Sequence, residues 1–196
     1  MHMIKDIINK LMLMIAMIAL FSSCSSDNDR ELFFIGDSLV ARWDLTYWFP
    51  TYITHNDGIS GSGIAHIQEC VGRYVDKEVV VIVGTNDMHT FSQEDDAEYV
   101  KNYVEAIKAL GAKRIFLFSV FPKSKDLCYG PEDDNEKIKR VNNIIRSAIQ
   151  GNQIVYIDVY DLLESNGGIN MQYSYDGLHL SHEGYELITK QLKKVL

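Results

Sequence analysis

Five short runs of apolar and β-branched residues punctuate the chain: Leu32–Ile35 (LFFI), Tyr52–Thr54, Val79–Val83 (VVVIV), Ile115–Val120 (IFLFSV) and Ile154–Val159 (IVYIDV). The second is the weakest; the others are nearly continuous rather than alternating, which suits strands covered on both faces. Between them the period lengthens to that of a helix. Val100, Tyr103, Val104, Ile107 and Leu110 share one helical face, with a capping box at Ser92-Gln93-Glu94-Asp95 and a stop at Gly111. Ile138, Val141, Ile145 and Ile149 define a second helix ending near Gly151. Tyr185, Ile188, Leu192 and Val195 define a third that begins after Ser181. Shorter helices are expected after Ser38 and Gly63.

Strands that alternate with helices predict an α/β protein, with a parallel sheet, right-handed crossovers and helices on both faces. Five strands predict a three-layer α/β/α, flavodoxin-like architecture in the order 2-1-3-4-5. Ligands of such sheets bind beyond the carboxyl ends of the strands. Strand 1 is followed by Gly36-Asp37-Ser38-Leu39, strand 2 by Asn56-Asp57-Gly58-Ile59-Ser60-Gly61, and strand 3 by Gly84-Thr85-Asn86-Asp87. A longer loop after strand 5 carries Asp176-Gly177-Leu178-His179. A hydroxyl, a glycine turn, an amide and a carboxylate–imidazole pair on one rim are the parts that acyl transfer requires.

Each part alone has a purely structural use. Asp37-Ser38 suits an N-cap, the glycines suit a turn, and Asn86-Asp87 suits an Asx turn. Asp176 and His179 could form a surface hydrogen bond. Their spacing also occurs in metal sites, but no third ligand stands out, so no metal is expected.

Together and in this order the four blocks resemble those of the SGNH hydrolases, the GDSL esterase family, over essentially residues 32–196. The matching segments are Phe34-Ile35-Gly36-Asp37-Ser38-Leu39, Asn56 through Gly61, Gly84 through Asp87, and Tyr175-Asp176-Gly177-Leu178-His179-Leu180. The resemblance implies an SGNH-type fold with Ser38 as nucleophile, His179 as base and then acid, and Asp176 orienting the imidazole. It also implies an oxyanion hole made by the backbone N–H groups of Ser38 and Gly61 and the side-chain amide of Asn86. No cofactor is implied. Asp37 is expected to hydrogen-bond its own turn, and Asp87 to brace the Asn86 loop. The G-x-S-x-G elbow of other α/β-hydrolases and the G-x-x-x-x-G-K phosphate loop are both absent from the sequence.

Composition narrows the partners. The chain has 196 residues, 46% apolar and 23% charged, which suits one domain with a short appendage. A net charge of −8 argues against nucleic acid, which needs a basic face. No long insertion provides a lid or tunnel. The expected substrate is therefore a short acyl, acetyl-type ester on a carbohydrate or small molecule. A lysophospholipase, a thioesterase or a non-catalytic glycan-binding lipoprotein are the alternatives. Nothing in the sequence specifies an oligomeric state.

The N-terminus changes the expected location. Lys5 and Lys10 precede the apolar run Leu11–Phe21, which is too short to span about 30 Å of hydrocarbon. A basic start, a short apolar middle and small residues read as a secretory signal. Leu20-Phe21-Ser22-Ser23-Cys24 resembles a bacterial lipobox, with Phe21 where an aliphatic residue is usual. It implies cleavage after residue 23, lipidation of Cys24 and anchoring to the cell envelope. Residues 24–31 then form a polar tether, and the domain occupies 32–196. Cys70 and Cys128 remain, either as a disulfide or as two buried thiols.

Overall fold

A computed structural model describes residues 30–128 and 133–196. The expected signal segment 1–23, Cys24 and the expected tether as far as Asp29 lie outside the described residues. Strand β1 starts at Glu31, and Arg30 pairs with Glu78 at 3.3 Å.

Five parallel strands form one sheet in the order β2-β1-β3-β4-β5, the expected topology. They are β1 (Glu31–Gly36), β2 (Ile53–Gly58), β3 (Glu78–Ile82), β4 (Arg114–Phe118) and β5 (Ile154–Ile157). Helices α1 (Ser38–Ala41) and α2 (Leu45–Trp48) follow β1, and α3 (Ile64–Glu69) follows β2. Helix α4 (Asp96–Ala109) follows β3, and α5 (Asp134–Ala148) follows β4. After β5 come α6 (Tyr160–Leu163), a small hairpin β6 (Glu164–Ser165) and β7 (Gly168–Ile169), and α7 (His182–Lys193).

The continuous apolar runs have the predicted consequence. Side chains alternate across the pleat, so each strand feeds two cores. Ile35, Val79, Val81, Ile115 and Leu117 face one layer with Ile67 of α3, Val104 and Ile107 of α4, and Val141 and Ile145 of α5. Phe34, Val80, Ile82, Phe116 and Phe118 face the other with Leu39 and Val40 of α1 and Ile188 and Leu192 of α7. Each fully buried side chain of this size contributes about 1.5–3 kcal/mol.

Strand β2 runs further than Tyr52–Thr54 and takes in Asn56, Asp57 and Gly58. It is an edge strand paired only with β1, and none of its residues is fully buried. Its polar residues hid it from a reading based on apolar runs. The Ser92–Asp95 box forms a turn one step ahead of α4, with the Asp95 N–H donating to Ser92 Oγ at 3.2 Å. Helix α5 ends at Ala148, before Gly151. Cys70 and Cys128 are free thiols.

Candidate active site

Ser38 opens α1 at the carboxyl end of β1. Asp37 caps this helix, with Oδ1 accepting the Leu39 N–H at 2.8 Å. The turn is tight because the Asp37 N–H donates to Ile82 O at 3.2 Å. Gly36 makes that approach feasible: a Cβ there would fall 1.9 Å from the same carbonyl oxygen.

His179 arrives from the far end of the chain and stands with Nε2 3.1 Å from Ser38 Oγ. Its Nδ1 is 2.7 Å from Asp176 Oδ2, while Asp176 Oδ1 accepts the N–H groups of Leu178 and His179 at 2.9 and 2.7 Å. Burial pushes the Asp176 carboxyl up. The His179 ring and the two N–H donors outweigh that effect and hold it below the usual carboxylate range. An ionised Asp176 selects the tautomer with its proton on Nδ1, leaving Nε2 as acceptor for the serine hydroxyl.

The loop that carries this pair is pinned at both ends. Ser174 Oγ accepts the Gly177 N–H at 2.8 Å and donates to His179 O at 2.7 Å. Beyond it, Ser181 caps α7 through the Gly184 N–H at 3.2 Å. From α7 the buried Tyr185 hydroxyl donates to Leu39 O at 2.8 Å. The helix after the base is thus tied to the helix of the serine. The sequence places Tyr185 on the apolar face of this helix and in the Glu183-Gly184-Tyr185 segment that follows the matched histidine block; the bond to Leu39 O is visible only in the fold.

On the opposite side, the glycine loop and the Asn86 loop are knitted together. Ile59 N–H and Ser62 Oγ both donate to Gly36 O, at 2.9 and 3.1 Å. Asn86 Nδ2 donates to Ser62 O at 2.8 Å, and Asp87 Oδ2 accepts the Ile64 N–H at 2.9 Å and the Tyr99 hydroxyl at 3.2 Å. Gly63 permits this contact, since a Cβ there would lie 2.1 Å from Asp87 Oδ1. Among the described residues, no protein acceptor takes the N–H of Ser38 or of Gly61. The Asn86 amide has two N–H donors and spends one on Ser62. Three donors, on the serine turn, the glycine loop and the Asn86 loop, are therefore unspent among the described residues.

Asp37 is 1% exposed and its Oδ2 has no partner. Burial pushes its carboxyl up to about 7, against the Leu39 N–H and with help from the charge of Asp87. Asp37 and Asp87 thus brace turns, as expected. Of the remaining histidines, His89 lies against the Asn86 loop, with Nδ1 3.2 Å from Asn86 O. His55 stacks on Phe33 and pairs with Glu31, and His182 lies against Trp48. No group of three or more His, Cys, Asp or Glu side chains suited to a metal occurs among the described residues.

Two depressions open on this rim; the aromatic cluster of Trp43, Tyr47, Trp48 and Phe49 is legible in the sequence, as core or as a sugar platform, and the fold buries Trp43 and Phe49 while leaving Tyr47 exposed. A cleft of about 440 Å³ opens next to Asn86 and Leu178 and reaches Lys123, Asp134 and Lys137. Lys123 lies in the segment after β4. On the α2–α7 side, Tyr47, Trp48 and His182 line a shallower depression with Arg42, whose guanidinium contacts the Tyr175 hydroxyl. Tyr47 is 61% exposed and Tyr175 is 58% exposed.

The sequence profile of the GDSL-like Lipase/Acylhydrolase family matches residues 34–187, from the serine block through the histidine block and into α7. The chain belongs to that family. Enzymes of this family hydrolyse esters. Among curated relatives, it is 28% identical over 182 residues to an N-acylneuraminate cytidylyltransferase of Escherichia coli O18:K1:H7, covering 87% of this chain but only 41% of that protein. It is also 28% identical over 188 residues to the human platelet-activating factor acetylhydrolase IB subunit alpha1, covering 90% of this chain and 79% of the relative. Among solved structures, a lipase/acylhydrolase from Enterococcus faecalis superposes with a TM-score of 0.68 at 20% identity, over 84% of this chain and 94% of the other. The acetyl xylan esterase AlAXEase superposes with a TM-score of 0.64 at 22% identity, over 85% and 99%. At such identity these two structures speak for the GDSL fold alone.

Proposed function

We propose that this GDSL-family protein is a serine esterase that removes short acyl groups, of the acetyl type, from a carbohydrate or other polar alcohol. The observation that carries the reading is the line from Ser38 Oγ to His179 Nε2 to Asp176 Oδ2, at 3.1 and 2.7 Å. A serine hydroxyl is a poor nucleophile until a base removes its proton. His179 takes that proton as Ser38 Oγ attacks the ester carbonyl. Asp176 stabilises the imidazolium that results. The tetrahedral oxyanion is received by the N–H groups of Ser38 and Gly61 and the second N–H of Asn86. The start of α1 adds its partial positive charge. His179 then protonates the leaving alcohol, and a water activated by the same imidazole releases the acid.

The short-acyl preference is supported by the absence of a long insertion over the rim among the described residues and by the relative named as an acetylhydrolase. The exposed Tyr47 ring stands edge-on to the half-buried Trp48, with centroids 4.8 Å apart, and offers an aromatic face of the kind that sugars stack on. Hydrolysis of p-nitrophenyl esters of increasing acyl length tests both parts. The acetate is expected to be the best substrate, and Ser38→Ala is expected to reduce its turnover by about 10⁴-fold or more. A preference for long acyl chains would favour a lipid substrate instead. Activity retained in Ser38→Ala would refute the mechanism. A folded wild-type protein that turns over no ester would point to glycan binding without catalysis.

A further inference from the structure

Two ties cross from the helix of the serine to the part of the chain that carries the base. The buried one joins the Tyr185 hydroxyl of α7 to Leu39 O. The other lies at the surface. Arg42, which ends α1, donates its backbone N–H to Ser38 O at 3.1 Å, and its guanidinium donates to the Tyr175 hydroxyl. One helical turn, about 6 Å of rise, thus separates the serine from the root of this second tie. At its far end, Tyr175 directly precedes Asp176. Its ring lies 15° from parallel to the His179 imidazole with centroids 6.0 Å apart, within the range of offset stacking. Its backbone N–H donates to His179 O at 3.3 Å. The phenol ring therefore stands alongside the imidazole and is held at its outer end from the serine side.

Neither side chain is placed to serve stability. Tyr175 is 58% exposed, and Arg42 is exposed as well. An exposed hydrogen bond adds little to stability, because water can replace either partner. Asp44, two residues beyond Arg42, turns Oδ1 onto the Tyr47 N–H as the cap of α2, and among the described residues Arg42 forms no ion pair. Its guanidinium instead reaches a neutral phenol on the loop of the base. That loop needs such a restraint. The bond from Nδ1 to Asp176 fixes one edge of the imidazole and leaves the ring free to tilt about that bond. A tilt that carries Nε2 about 1 Å away from Ser38 Oγ costs a large part of the rate.

We propose that Arg42 and Tyr175 are positioning residues: latched to α1 through the guanidinium, the Tyr175 ring limits the swing of the His179 imidazole and keeps Nε2 on Ser38 Oγ. The proposal rests on the esterase reading and adds to it two residues that take no part in proton transfer or in holding the oxyanion.

A double-mutant cycle on p-nitrophenyl acetate tests it. Tyr175→Phe removes the hydroxyl and keeps the ring, and Arg42→Met removes the guanidinium and keeps the stem. Each is expected to lower kcat and kcat/KM together by about three- to tenfold, with KM within about twofold of wild type, the pattern of a contact felt in the transition state. The double variant is expected to be no slower than the slower single one, because both changes break the same contact. Arg42→Lys, which still reaches the phenol, is expected to recover part of what Arg42→Met loses. Melting temperatures should stay close to that of wild type throughout, which separates positioning from support of the fold. Unchanged kcat in Tyr175→Phe, losses that multiply in the double variant, or a faster Arg42→Met protein would each overturn the proposal and leave the esterase intact. The last would mean that the guanidinium acts by charge on the imidazolium. If wild type hydrolyses no ester, the esterase reading fails, and proton NMR of the His179 Nδ1–H decides the latch separately. A resonance that broadens in both single variants, and no further in the double, upholds it. A resonance unchanged by them, or already lost in wild type, refutes it.

Discussion

The two arms around Ser38 are built in opposite ways. The proposed base arm is local and partly exposed. Asp176 and His179 are three residues apart on one loop, and the Asp176 side chain is 39% exposed. The carboxylate is satisfied almost wholly by its own loop, through the His179 ring and the N–H groups of Leu178 and His179. The oxyanion arm is dispersed and internally braced. It draws on the ends of β1, β2 and β3, and its bonds join Gly36, Ser62, Ile64, Asn86 and Asp87 across more than twenty residues of sequence each. Behind it lie two carboxyl groups that burial pushes upward, Asp37 and Asp87. A base must move a proton and turn slightly during the reaction. A donor set must be in position before charge develops, because its value lies in not having to reorganise. The contrast follows from that division of labour.

The contrast is sharpest when one group is removed from each arm. Asp176→Ala is expected to lower kcat by about 10³–10⁴-fold, since the imidazole loses both its tautomer control and its counter-charge. Its melting temperature should fall only modestly, because Asp176 is partly exposed and water can take up the loop N–H groups it leaves. Kinetics on p-nitrophenyl acetate beside a thermal melt measure both. A large loss of stability would mean that the base arm is not the self-contained unit described here.

Asn86→Ala probes the other arm and is expected to lower kcat by about 10²–10³-fold with a smaller change in KM, the usual result of removing one oxyanion donor. It also removes the bond to Ser62 O, so the glycine loop loses one of its ties. Hydrogen exchange at the N–H groups of Gly61 and Ser62 should therefore quicken, which Asp176→Ala should not cause. Unchanged turnover would remove Asn86 from the site.

The same contrast explains what could be read from the sequence. Asp176 and His179 sit on one loop, so their spacing alone paired them. The apolar runs exposed four of five strands because those strands are covered on both faces. Strand β2 was truncated in that reading because an edge strand tolerates His55, Asn56 and Asp57. Gly61 and Asn86 were assigned through family resemblance, and nothing in their own segments reveals that Ser62 O accepts from Asn86 or that Gly63 makes room for Asp87. The pairing of Lys123 and Lys137 with Asp134 is hidden in the sequence for the same reason. Their meeting at Asp134 depends on how the segment after β4 folds against α5, and a lysine in isolation reads as solvated surface. Local patterns are legible, whereas contacts between segments require the fold.

The buried Asp37 carboxyl offers the finest test of how the oxyanion arm is held. Its Oδ1 caps α1, its Oδ2 has no partner, and burial raises it from 3.8 to about 7. The folded protein therefore keeps a proton that the unfolded chain releases at much lower pH. The stability tied to that proton is complete below the unfolded value and is lost as pH rises through the folded one. Between about pH 5 and about pH 8 the loss is at most about 2–3 kcal/mol, or several degrees in Tm. Asp37→Asn retains an acceptor for the Leu39 N–H and carries no charge at any pH. The melting temperatures of wild type and variant are expected to be close at pH 5 and to diverge toward pH 8, with the variant melting higher. Parallel curves would mean that Asp37 is already ionised in the folded protein throughout this range. The brace behind Ser38 would then be a charged cap rather than a protonated one, and the two arms would differ in connectivity but not in electrostatics.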